Sequence, residues 1–136
     1  MGEAVTVFEE TIEGWAWIQL QTDGYVGYVS SDALGHEGAA PTHAVTALRT
    51  FLYPGPDMKL PPLGALSLGA RIAISGEAET RGTSFGLLSG GGGAVVLRHV
   101  ASLDAPPQPD FVAVAERFLN VPYLWGGRTS PGVDCS

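Results

Sequence analysis

Between Ala4 and Val29, apolar and polar positions exchange at short range. Ala4-Val5-Thr6-Val7-Phe8 alternates, Trp15-Ala16-Trp17-Ile18-Gln19-Leu20 is rich in aromatic and aliphatic residues, and Gly24-Tyr25-Val26-Gly27-Tyr28-Val29 follows the pair Asp23-Gly24. Alternation at period two marks a half-buried strand. Asp-Gly between two such runs is a strong hairpin signal, because both central residues of the favoured two-residue turn take positive φ. A meander is expected here, closed by Leu34-Gly35 and followed by a linker of small residues and proline at Gly38 to Pro41. A second β-rich unit is expected over His43 to Leu103, with strands at Ala44 to Leu48, Ala70 to Ser75, Thr83 to Leu88 and Ala94 to Val100. Pro54-Gly55-Pro56-Asp57 and Pro61-Pro62 demand loop geometry, and Gly90 to Gly93 supplies backbone freedom. A glycine run also suits a phosphate cradle. No Lys-Ser or Lys-Thr follows this one and no helical pattern opens after it, so the loop reading prevails.

The period changes after Asp104-Ala105-Pro106-Pro107-Gln108-Pro109, a semi-rigid linker with an extended, polyproline-like path. Asp110 is placed to cap a helix whose apolar residues Phe111, Val114, Ala115, Phe118 and Leu119 fall at spacings of three and four, with Glu116 and Arg117 on the other side. Asn120 and Pro122 end it, since proline cannot continue the ladder and restricts the residue before it.

Length and charge narrow the function classes. The 136 residues leave room for two small domains but not for a full enzyme beside them. Fourteen acidic against seven basic residues give a net charge of −7, without the cationic footprint that nucleic acid or an anionic membrane surface requires. No stretch approaches the roughly 18 apolar residues of a membrane span. Met1 to Val7 lacks the charged-then-apolar build of a signal peptide, which tilts the compartment slightly towards the cytoplasm. A single cysteine rules out an internal disulfide framework. With His36, His43 and His99 scattered, no structural metal site and no cofactor is expected. The lone Cys135 is then either a buried small hydrophobe, which composition alone favours, or a nucleophile.

The last stretch, Val121-Pro122-Tyr123-Leu124-Trp125-Gly126-Gly127-Arg128-Thr129-Ser130-Pro131-Gly132-Val133-Asp134-Cys135-Ser136, shifts that balance. It resembles the segment that introduces the nucleophile in the NlpC-type (NlpC/p60) bacterial cell-wall cysteine peptidases, where a helix leads into Pro-Tyr-x-Trp-Gly-Gly and an Asp-Cys-Ser triplet opens a second helix. The chemistry suits those residue types. A helix N-terminus favours the thiolate, and a histidine in hydrogen-bond reach, oriented by a third group, serves as base and then acid. The resemblance implies that Cys135 is the catalytic nucleophile and that its histidine lies beyond Ser136, so that this chain by itself is inactive. His36, His43 and His99 are read as solvated or hydrogen-bonded residues of the β-rich region.

Gly2-Glu3-Ala4-Val5-Thr6-Val7, the Gly14-Trp15 pair and Asp23 to Val29 resemble the later strands of a bacterial SH3-like barrel, and one subgroup of these peptidases carries two such barrels before its catalytic domain. The resemblance implies a mostly β fold. An N-terminally incomplete first SH3-like barrel (1–37) is followed by a second (43–103), the linker (104–109), and one helix with the start of a papain-like α+β domain (110–136). It further implies hydrolysis of murein peptides between γ-D-glutamate and a diamino acid, with a free N-terminal L-alanine selected. Asp134, Ser136 and Tyr123 are then substrate-binding positions, with Tyr25 or Tyr28 contributed by the first barrel. Either tyrosine reads equally well as a packed strand aromatic. Self-association through the incomplete first barrel is expected, and a murein-peptide binding module without catalysis is the alternative function.

Overall fold

The computed structural model describes residues 3–36, 38–106 and 109–135. It divides into two compact units, Met1–Ala39 and Ala40–Ser136.

In the first unit, β1 (Val5–Glu10), β2 (Trp15–Leu20) and β3 (Val26–Ser30) form an antiparallel meander in that order. Val7 pairs with Ile18 but Glu9 pairs with Trp17, so Phe8 is an extra residue that bulges and bends β1. Only Ala16 and Ile18 are buried among the unit's described residues. The Asp23-Gly24 hairpin forms differently from the expected two-residue turn. Leu20 N–H donates to the Tyr25 carbonyl (2.8 Å), which leaves the four residues Gln21 to Gly24 in the loop. Gly24 takes a positive φ of 74° and Asp23 does not. Instead the Asp23 carboxylate accepts the Tyr25 N–H at 2.9 Å, and this side-chain turn replaces a second left-handed residue.

The second unit holds β4 (His43–Val45), β5 (Arg49–Leu52), β6 (Gly64–Ser67), β7 (Arg71–Ile72), β8 (Ile74–Thr80), β9 (Thr83–Leu88), β10 (Ala94–Val96) and β11 (Val100–Ser102). They pair as β11-β4-β7, β10-β9-β8 and β5-β6. Val45, Leu52, Leu66, Ile72 and Val95, one from each of five strands, make the core. A second cluster joins Tyr53, Phe85, Ala94 and Val96, with the Tyr53 and Phe85 rings edge to face at 6.3 Å. Among the described residues the fold is mostly β with one α-helix, and no closed barrel forms, contrary to expectation. The ladder is interrupted at Ala73, between β7 and β8, and at the 3₁₀ turn Leu97–His99 that splits the expected strand Ala94 to Val100 into β10 and β11.

Two backbone positions hold this arrangement. Gly93 has φ +107°, and any β-carbon there would run into the Tyr53 carbonyl; its absence lets Tyr53 and Ala94 form the bridge that joins the end of β5 to β10. Arg81-Gly82, with φ of 52° and 73°, is the true two-residue hairpin turn, between Thr80 and Thr83. The Arg81 guanidinium reaches both oxygens of Asp57 at 2.8 and 2.9 Å, tying this turn to the proline-rich loop between β5 and β6. The Lys59 N–H, and after it Arg81, hold the Asp57 carboxyl below its ordinary range.

The helix α1 (Phe111–Glu116) starts as the sequence predicts, with Asp110 Oδ1 accepting the Ala113 N–H at 2.9 Å. It ends earlier than Leu119: the next turn tightens to i→i+3 bonds, and Asn120 at φ 67° terminates it before Pro122. Phe111 and Leu119 lie exposed, while Val114 and Phe118 are partly covered.

Candidate functional site

The chemistry-bearing segment after α1 is a small hairpin clamp. β12 (Arg128–Thr129) and β13 (Gly132–Val133) pair across the two-residue turn Ser130-Pro131. Tyr123 bridges Val133 in parallel, Leu124 N–H donates to the Val133 carbonyl (3.0 Å), and Val133 N–H donates to the Pro122 carbonyl (3.2 Å). The chain therefore passes Val133 twice, which sets the Pro122-Tyr123-Leu124 run beside the strand that delivers Asp134 and Cys135. Gly127 and Gly132 are buried where these passes meet. A β-carbon on Gly127 would lie 2.6 Å from the Gly132 carbonyl oxygen, and one on Gly132 would lie 2.5 Å from Leu124 Cβ. The paired glycines are thus a packing requirement of the clamp, and close approach of backbone to backbone is the use the structure gives them.

Asp134 closes the clamp from both ends: its N–H donates to the Gly127 carbonyl (3.0 Å) and its Oδ2 accepts the Gly126 N–H (3.0 Å). Its carboxylate thus bridges the two passes of the chain, one residue before Cys135. Cys135 follows directly and is exposed, which removes the reading of this cysteine as a buried hydrophobe. The second helix that the Asp-Cys-Ser triplet was expected to open is not seen among the described residues, where Cys135 lies in irregular chain. Ser136, a predicted substrate-binding position, lies outside the described residues.

The predicted site residues divide between the units. Tyr123, Asp134 and Cys135 share the clamp, and Tyr123 is exposed. Tyr25 and Tyr28 belong to the first unit, where both are more than half exposed. Tyr28 faces Trp17 across the β2–β3 pair, ring centroids 4.8 Å apart and tilted by 53°, so it packs in part; Tyr25 sits at the end of the loop that Asp23 organises.

The histidines have local partners. His43 Nδ1 lies 2.8 Å from Thr42 Oγ1, and His99 Nδ1 lies 2.8 Å from Thr50 Oγ1, a hydroxyl on a buried residue. Burial, and then the Arg98 charge, push the His99 imidazole below its ordinary 6.5. No hydrogen bond joins a histidine to Cys135 among the described residues. Nor does any group of three or more His, Cys, Asp or Glu side chains assemble there that could hold a metal ion. No described helix is long and apolar enough to cross a membrane.

One concavity beside the clamp was not anticipated. It lies away from Cys135 and is lined by the turn residues Ser130 and Pro131 together with Arg49 and Arg117. The signal available was two arginines in a chain with only seven basic residues, but their meeting depends on tertiary packing.

Residues 1–34, which include the whole meander, match the family model described as the bacterial dipeptidyl-peptidase SH3 domain. The match supports an SH3-like domain in a peptidase context for the first unit. No curated protein matches the chain.

Proposed function

We propose that this chain is the N-terminal part of a bacterial murein-peptide cysteine endopeptidase that cleaves between γ-D-glutamate and a diamino acid, with Cys135 as nucleophile and the SH3-like region shaping substrate access. The observation that carries this reading is the clamp, whose backbone-anchored Asp134 leads directly into an exposed Cys135, in a chain whose first 34 residues match a dipeptidyl-peptidase SH3 domain. In the reaction, a histidine supplied from outside these residues takes the Cys135 thiol proton as the sulfur attacks the γ-glutamyl carbonyl, and returns it to the diamino-acid amine that leaves as the amide C–N bond breaks; water then hydrolyses the thioester and frees the thiol. Asp134 would receive the ammonium of the N-terminal L-alanine, and Tyr123, Ser136 and one of Tyr25 and Tyr28 are further substrate-binding positions of this reading. Rejection of a blocked terminus would follow because an acetylated nitrogen carries no charge and cannot form the charge-assisted hydrogen bond to Asp134.

The test is the full product of the gene acting on L-Ala-γ-D-Glu-diaminopimelate and on its N-acetylated form. Release of L-Ala-γ-D-Glu from the free peptide alone is the expected result. Equal rates on both would remove the amino-terminal specificity. Binding of the free peptide without cleavage would favour the alternative, a murein-peptide binding module.

A further inference from the structure

The groove on the second unit has a volume of about 460 Å³, within the range of small-ligand sites. Its walls are partly aliphatic, from Leu48, Leu119, Val121 and Pro122, and partly polar, from Asn120 and Ser130, and its charged groups are Arg49 and Arg117. Neither arginine lies within ion-pair distance of a described carboxylate, although acidic residues outnumber basic ones two to one in the sequence. Arg117 is fixed in place: its Nη2 donates to the Thr46 carbonyl at 2.9 Å, which uses one of the five N–H donors of a guanidinium. Arg49 stands directly across from Ser67 in the β5–β6 pair, so both side chains leave the same face of the hairpin. Ser67 Oγ accepts the buried Ser130 N–H and contacts the Ser130 hydroxyl, each at 3.2 Å, and so pins the Ser130-Pro131 turn against that face.

We infer that this groove is a binding site for the C-terminal end of an extended peptide, with the free carboxylate between Arg49 and Arg117 and an aliphatic side chain on Leu119 and Val121. A planar guanidinium pairs with a carboxylate through two parallel hydrogen bonds, and two of them on one groove with aliphatic and amide or hydroxyl walls suit a carboxylate that carries both an apolar side chain and a hydrogen-bonding backbone. No aromatic side chain lines the groove to stack a base, which separates this ligand from a nucleotide. The inference stands apart from any role of Cys135.

The test is isothermal titration of the chain with acetyl-Ala-Ala-Leu as the free acid and as the C-terminal amide, with inorganic phosphate as a third probe. The acid is expected to bind about tenfold more tightly than the amide, and Arg49→Gln to erase that difference while Arg49→Lys restores part of it. Circular dichroism of Arg49→Gln should match the parent, since Arg49 is exposed and holds no described partner. Equal binding of acid and amide, an acid preference that survives Arg49→Gln, phosphate bound as tightly as the acid, or no binding of either peptide at millimolar concentration would each overturn the proposal.

Discussion

The two units use the same antiparallel β chemistry to opposite ends. In the second, five strands each contribute one residue to a shared core, and Phe85, Val45 and Val95 are fully buried. In the first, three longer strands bury only Ala16 and Ile18 among the described residues, and Phe8, Trp15, Tyr25 and Tyr28 are each at least half exposed. Strand length therefore does not measure burial here. What matters is whether a second sheet lies across the apolar face: the short strands of the second unit supply one, whereas the described residues of the first unit form a single sheet. Tyr53 and Phe85 of the second unit pack edge to face in its core, whereas Phe8, Trp15 and Tyr25 of the meander have no such cover among the first unit's described residues.

Core truncation should expose that contrast most strongly. Phe85→Ala is expected to cost about 3–5 kcal/mol in denaturant unfolding of the second unit. The Tyr28→Ala change, on a half-exposed ring, should cost far less in the same assay, and similar costs would erase the distinction between the units. Next in size is Gly93→Ala, expected to destabilise by about 1–3 kcal/mol because both the positive φ and the Tyr53 carbonyl oppose a β-carbon. Gly90→Ala, at a similar positive φ with open space around it, should cost less, and the reverse order would show that the Tyr53–Ala94 bridge does not hold the two sheets together. Within the meander, a Trp17/Tyr28 double-mutant cycle should return a coupling of about 0.5–1.5 kcal/mol.

The smallest effect is the pH response of the second unit. The folded His99 titrates below 6.5 because burial, and then Arg98, oppose its charge. The unfolded chain therefore binds a proton first, and His99 lowers stability as pH falls from about 6.5 towards the folded value, with no further loss below it. An NMR titration of the His99 ring should give a midpoint below 6.5, and Thr50→Val should move it. A midpoint at or above 6.5 would contradict the burial seen at Thr50 and His99.

How much of this was legible in the sequence follows the range of the interactions involved. Trp15–Leu20 and Thr83–Leu88 were readable as strands from their own residues, and the Asp110 cap and the Asn120-Pro122 stop were readable as local chemistry. The β5–β6 hairpin was not, because Arg49-Thr50-Phe51-Leu52 and Gly64-Ala65-Leu66-Ser67 flank a proline-rich loop and pair only across it. Asp23-Gly24 pointed to a two-residue turn that did not form, and Arg81-Gly82, where the sequence offered no turn reading, forms one. An Asp side chain can satisfy a loop without adopting positive φ, while an arginine was held there by the turn and anchored to Asp57. At the candidate site, the sequence pattern singled out Tyr123, Asp134 and Cys135, but the clamp bonds around Tyr123 and Asp134, and the groove of Arg49 and Arg117, arise from packing that no local pattern encodes.

The central claim is that Cys135 is the nucleophile of a murein-peptide endopeptidase. Its most direct test compares the gene's full product with its Cys135→Ala variant on L-Ala-γ-D-Glu-diaminopimelate, with release of L-Ala-γ-D-Glu followed by mass spectrometry. The account predicts cleavage by the parent, a covalent acyl adduct at Cys135 in acid-quenched samples, and no detectable cleavage by a variant that remains folded. Undiminished cleavage by Cys135→Ala would contradict it.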